Sequence, residues 1–149
     1  MDIPSFVLAC APWVHPTTTQ ALIATESATN PYAIGVVGAV LERQPRTLRE
    51  AMATARTLRR AGWDFSAGLA QINVRNWTHV GLSLETVFEP CANLHAMQRI
   101  LRECYARAAA WGANDQARLR LALSCYHAGN FVGGFRDGYV DRVVAAAPR

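Results

Sequence analysis

Apolar residues recur at helical spacing over most of the chain. Leu22, Ile23 and Ala24 form the body of a helix that opens within His15–Gln20, where Thr17 and Gln20 have capping-box spacing and Thr17 is the expected N-cap. Asn30-Pro31 closes it, because a residue before proline is pushed out of the helical region. Thr47-Leu48-Arg49-Glu50 is a second capping box, leading a helix through Met52, Ala55 and Leu58 to Gly62, a left-handed stop. The longest stripe, Leu94, Met97, Ile100, Leu101, Cys104, Ala108 and Trp111, predicts a helix between Pro90 and Gly112. Ser83–Phe88 before it predicts one helical turn. Asn114 and Asp115 are placed to cap a further helix, with Leu119, Ala122, Leu123 and Tyr126 on one face and Gly129 as its stop. A shorter helix is expected over 139–147.

Two stretches lose this period. Within 32–44 the run Gly35-Val36-Val37-Gly38-Ala39-Val40 suits a short hairpin or loop, and Phe65–Val74 reads as extended or turn structure. No repeat, low-complexity tract or linker divides 1–149, so the expectation is one mainly α domain with a small irregular or β element.

With 51% hydrophobic and 17% charged residues in 149, the chain is far from the composition of a disordered one. No run nears the roughly 18 apolar residues a membrane span needs, and Ile3–Val14 is broken by Pro4 and Pro12, so no membrane insertion is expected. No basic leader region is visible, which suggests either a cytosolic chain or a mature form whose signal has been removed. The net charge of +4 comes entirely from arginine. Its one dense group, Arg43, Arg46, Arg49, Arg56, Arg59 and Arg60, reads as a solvated helix face or as a contact for an anionic polymer such as a cell wall. The scatter of the rest argues against nucleic acid.

Cys10, Cys91, Cys104 and Cys125 lack the C-x-x-C spacing of a zinc site, and His15, His79 and His95 have no ligand-like or triad-like spacing, so neither metal nor cofactor is expected. Two disulfides and four buried thiols both fit the count. No nucleophile elbow or phosphate-cradling loop occurs.

Glu26 is the anomaly in this pattern. It follows Leu22 by four residues and Ile23 by three, which places its carboxylate on the apolar face, in a last turn where the helix dipole disfavours negative charge. Both effects raise its pKa, as a general acid near neutrality requires; the alternative is a carboxylate that reaches solvent or pairs with an arginine. Gly68 permits close backbone approach, and Gln71 and Asn73 are expected on one side of an extended strand, with amides suited to N-acetyl and hydroxyl groups or to stabilising a turn.

Three blocks occur in order: Glu26-Ser27-Ala28-Thr29-Asn30-Pro31, Gly68-Leu69-Ala70-Gln71-Ile72-Asn73, and Ala122-Leu123-Ser124-Cys125-Tyr126-His127-Ala128-Gly129-Asn130. Together they resemble the lytic transglycosylase domain of the lysozyme-like superfamily. Phe88–Leu94, Gly134–Val140 and the helix between Arg46 and Gly62 are similar to the specialised transglycosylases of type IV secretion and conjugation systems. The resemblance covers nearly the whole chain. It implies a lysozyme-like α-helical fold and cleavage of the MurNAc-β-1,4-GlcNAc bond of peptidoglycan, with a 1,6-anhydromuramoyl product. Glu26 would be the single acid and base, and Ser27, Gln71, Asn73, Tyr126 and Tyr139 would contact substrate. Glycan strands as substrate, secretion or conjugation proteins as partners, local wall opening and a periplasmic location are further implications. Two departures stand out: His127 where the family commonly has Asn, and Ala70 where many relatives carry Met.

A periplasmic chain should have its cysteines bridged. Cys91 and Cys104, thirteen residues apart on one predicted helix, are about 20 Å apart and cannot pair, whereas a hairpin turning near Gly112 brings Cys104 level with Cys125 and leaves Cys10 for Cys91. Two other functions remain on this scaffold. A lysozyme-type hydrolase would need a second carboxylate, for which Asp64 is nearest the Gly68 block, and a non-catalytic wall-binding or scaffold module would need none.

Overall fold

The computed structural model describes residues 3–149. Seven α-helices follow one another among these residues: α1 (Ile3–Cys10), α2 (Pro16–Ser27), α3 (Leu48–Arg60), α4 (Pro90–Arg107), α5 (Asp115–Ala128), α6 (Gly133–Arg136) and α7 (Tyr139–Ala145). Three short strands, β1 (Ile34–Val36), β2 (Phe65–Ala67) and β3 (Ile72–Asn73), pair antiparallel in the order β1-β2-β3. Ile34 lies opposite Ala67, and Ser66 opposite Asn73. The mainly α architecture with a small β element is the lysozyme-like arrangement expected.

Several helix ends sit where the caps place them. Thr47 Oγ1 accepts from Glu50 N at 3.1 Å, Asn114 Oδ1 from Ala117 N at 2.8 Å, and Gly129 leaves α5 in the left-handed region at φ 77°. The start of α2 differs from expectation. His15, not Thr17, is the N-cap, its Nδ1 accepting from Thr17 N at 3.2 Å, because Pro16 has the fixed φ and missing N–H that suit the first helical position. At the far end of α4 a 3-10 turn, Ala108–Ala110, takes over after Arg107. Its tighter winding breaks the register of the apolar stripe, and Trp111 is 73% exposed instead of packed. Ser83–Phe88 forms turns only, with Val87 N bonded to Ser83 O at 2.9 Å and no helix continuing from it.

One core joins the helices to the sheet. Leu22 and Ile23 of α2, Leu94, Met97 and Leu101 of α4, Leu123 of α5 and Tyr139, Val140 and Val143 of α7 are buried together with Phe65, Ile72 and Trp77 from the sheet side. By contrast α3 buries only Ala51 and Ala55 completely, and its four arginines of the dense group, like Arg43 and Arg46 just before it, are exposed. Two disulfides converge on α4. Cys10–Cys91 ties α1 to its first turn with Cα atoms 5.0 Å apart, and Cys104–Cys125 ties its last turn to α5 at 5.7 Å. Gly112 allows the α4–α5 hairpin to close, since a Cβ there would lie 2.7 Å from Arg118 Cα.

Candidate active site

The helices and the sheet border a cleft of about 530 Å³. Glu26 enters it from the end of α2, facing β1, Asp64 and Ser66, the Gln71–Asn73 segment and the Tyr126–Gly129 end of α5. Glu26 is half-buried, and burial pushes its pKa up to about 8 against the opposing effects of the Tyr139 hydroxyl and the Arg142 charge. The position in the last turn of α2 works in the same direction as burial. A carboxyl that keeps its proton through neutral pH can donate it, and once ionised it can take one back.

Opposite Glu26, the Gly68–Gln71 turn is held from three sides. Asn93, fully buried on α4, accepts from Ala70 N at 2.8 Å and donates to Ala67 O at 3.0 Å and Val87 O at 2.8 Å. Tyr126 Oη donates to Ala70 O at 2.6 Å. Gln71 Nε2 donates to Ala33 O at 2.9 Å and Gly68 O at 3.0 Å, which stitches the turn to β1. Gly68 has φ 86° and no room for a side chain, since a Cβ would sit 2.6 Å from Val87 O. Gln71 itself has φ 53°, so it belongs to the turn and not to an extended strand, and this strained conformation persists because the three anchors over-determine it. Burial, with the Glu26 and Tyr139 charges adding to it, holds the Tyr126 phenol well above its ordinary pKa, so it stays a neutral donor.

Asp64, the one acid near this block, is engaged. Asn73 Nδ2 donates to Asp64 Oδ1 at 2.7 Å, and Arg75 Nη2 lies 3.7 Å from Asp64 Oδ2. Asn73 Oδ1 accepts from Arg75 N and Nε at 3.0 and 3.1 Å, so its side chain stabilises the turn leaving β3 as well as lining the cleft.

The structure therefore gathers Glu26, Gln71, Asn73 and Tyr126 around one space. Tyr139 lies behind Glu26, 1% exposed, its hydroxyl close enough to lower the Glu26 pKa yet lacking a hydrogen bond of regular geometry. Ser27 does not line the cleft; it is buried and its Oγ donates to Ile23 O at 3.2 Å. Asn93 and Arg142 went unnoticed in the sequence. Asn93 stands inside a helix, and nothing local signals its fully buried amide; Arg142 lies over a hundred residues from Glu26. No group of three or more His, Cys, Asp or Glu among the described residues is placed to hold a metal ion.

Comparison with known sequences agrees with this geometry. The family model for the transglycosylase SLT domain matches residues 5–137, which takes in every block that surrounds the cleft. The chain belongs to the transglycosylase SLT family. Among curated proteins it is 48% identical to the type IV secretion system protein virB1 of Brucella abortus biovar 1 (strain 9-941), over 97% of this chain and 64% of that protein. It is 35% identical to protein virB1 of Agrobacterium fabrum (strain C58 / ATCC 33970), over 98% of this chain and 59% of that protein. The chain thus spans about three-fifths of the length of these relatives. No solved structure matches it at a significant level.

Proposed function

We propose that the chain is a peptidoglycan lytic transglycosylase that cuts the MurNAc-β-1,4-GlcNAc bond. The observation that carries this reading is Glu26, a carboxyl whose pKa is raised to about 8, set in the cleft of a transglycosylase SLT domain. Protonated Glu26 gives its proton to the glycosidic oxygen as the bond to muramoyl C1 breaks, and the N-acetyl oxygen stabilises the positive charge at C1. Glu26, now ionised, takes the proton of the muramoyl 6-hydroxyl while that oxygen closes onto C1. The ring closes without consuming water. Gln71, Asn73 and Tyr126 are the residues proposed to hold the sugar, Gln71 Oε1 as an acceptor, while Tyr139 and Ser27 support the Glu26 end of α2 from behind. The pairing of Asp64 with Asn73 and Arg75 supports a one-carboxylate route over a hydrolytic pair.

Residues 1–149 act in this proposal as a single catalytic domain. The similarity to virB1 of Brucella abortus, named a type IV secretion system protein, supports action on the wall around a secretion apparatus in the periplasm, and the two disulfides fit that oxidising compartment. No helix among the described residues is long and apolar enough to cross a membrane. Digestion of purified sacculi in heavy-oxygen water tests the chemistry: soluble muropeptides should appear without heavy oxygen at the muramoyl C1. Its incorporation would show a hydrolase, and the absence of any release would favour a wall-binding module.

A further inference from the structure

His127 follows Tyr126 and lines the cleft, but its ring is tied to the other side of the site. Nε2 lies 2.6 Å from Asp137 Oδ2, and the imidazole stacks on the Tyr139 ring with centroids 4.1 Å apart and planes 8° from parallel. The same Asp137 carboxylate accepts from Tyr139 N through Oδ1 at 3.0 Å, and Asp137 O accepts from Arg142 Nη1 at 3.0 Å. One carboxylate thus fixes both the backbone of Tyr139 and the ring that lies against it. The Tyr139 hydroxyl has no hydrogen bond of regular geometry to hold it in place. Its position beside Glu26 must then be set through the faces of its own ring, one of which His127 covers.

We propose that His127 is a positioning residue: clamped by Asp137 and stacked on Tyr139, it keeps the Tyr139 hydroxyl at the Glu26 carboxyl. The inference rests on the reading of Glu26 as acid and base. Glu26 faces Tyr126 from α5 and both Tyr139 and Arg142 from α7, and His127 faces Asp137 and Tyr139. Of these contacts to Glu26, only that with Tyr139 passes through the imidazole stack. Loosening the stack withdraws a donor that favours the ionised carboxylate, so Glu26 holds its proton to higher pH and gives it less readily to the glycosidic oxygen.

The test is a carbon-13 NMR titration of the Glu26 carboxyl, assigned by its loss in Glu26→Gln, together with kcat and KM on sacculi, in wild type, His127→Ala and His127→Phe. His127→Ala should raise the titration midpoint by about half a pH unit or more and cut kcat about fivefold with KM little changed. His127→Phe keeps an aromatic face on Tyr139 and should bring the midpoint back toward wild type. A His127→Ala titration that superposes on wild type overturns the proposal, as does His127→Phe behaving like His127→Ala. The titration reads the positioning without turnover, so a wild-type protein that released no anhydro product would refute the proposed function while leaving this inference to its own result.

Discussion

Glu26 is costly to the fold in the pH range where it is useful to the chemistry. Its folded pKa, pushed up to about 8 by burial, lies above the ordinary carboxyl value of 4.5. Below about pH 4.5 both folded and unfolded chains hold the proton, and the residue costs nothing extra. As pH rises toward 8 the unfolded chain gains by ionising while the folded one does not, so stability is lost progressively across that window. Glu26→Gln removes the ionisation. Thermal melts should therefore show the variant gaining over wild type as pH goes from 4 to 8 and matching it near pH 4; a gain independent of pH would deny the raised pKa. The same variant should lose activity by at least about a thousandfold while keeping its circular dichroism spectrum, because the amide has the shape but no transferable proton. Retention of a tenth of the wild-type rate would remove Glu26 from its role.

At the scale of elements, α4 is the strut on which the cleft depends. Asn93 in its first turns pins the Gly68–Gln71 turn, and Cys104 in its last turn pins the Tyr126-bearing helix α5. The closed loop of 21 residues implies about 3 kcal/mol from the Cys104–Cys125 bridge, and the 81-residue separation of Cys10 and Cys91 implies about 4.5 kcal/mol. Denaturant melts of the double variant Cys104→Ser/Cys125→Ser should show a loss of that smaller size, with weakened activity because α5 carries Tyr126 against Ala70; unchanged stability would contradict the strut role. These bridges were readable once a hairpin at Gly112 was assumed, because Gly112 and Asn114 are strong local signals of a chain reversal. Helix α1 was not readable: Pro4 looked like a break, yet in the first turn its missing N–H costs nothing. Helix α6 hid behind Gly133-Gly134, where the second glycine answers to packing, since a Cβ would lie 2.5 Å from Ser124 Cα.

Across the whole molecule, the placement of Glu26 on an apolar face is legible from a helical wheel, because burial of one face is a local pattern, whereas its proposed role needs the ordered sequence blocks beside it. The surroundings of Glu26 are not legible in this way. Tyr139 and Arg142 reach Glu26 from the last helix, more than a hundred residues away, and the Gln71 and Asn73 side chains, while lining the cleft, also donate within the protein to Ala33 O and Asp64 Oδ1. Periodicity describes which face is apolar; it does not say which distant side chain meets it. The assembled cleft offers one carboxyl that keeps its proton at neutral pH and two further acids already partnered, Asp64 by Asn73 and Arg75 and Glu103 by His79, so bond cleavage should decline as pH rises through about 8, the range in which Glu26 loses its proton. A profile still at full activity at pH 9 would oppose the general-acid step. The most direct measurement is the mass of the muropeptides released from sacculi. The products should carry a 1,6-anhydro end and be one water lighter than hydrolytic fragments; products with only reducing ends would rule out the transglycosylase route and make Asp64 the next residue to replace.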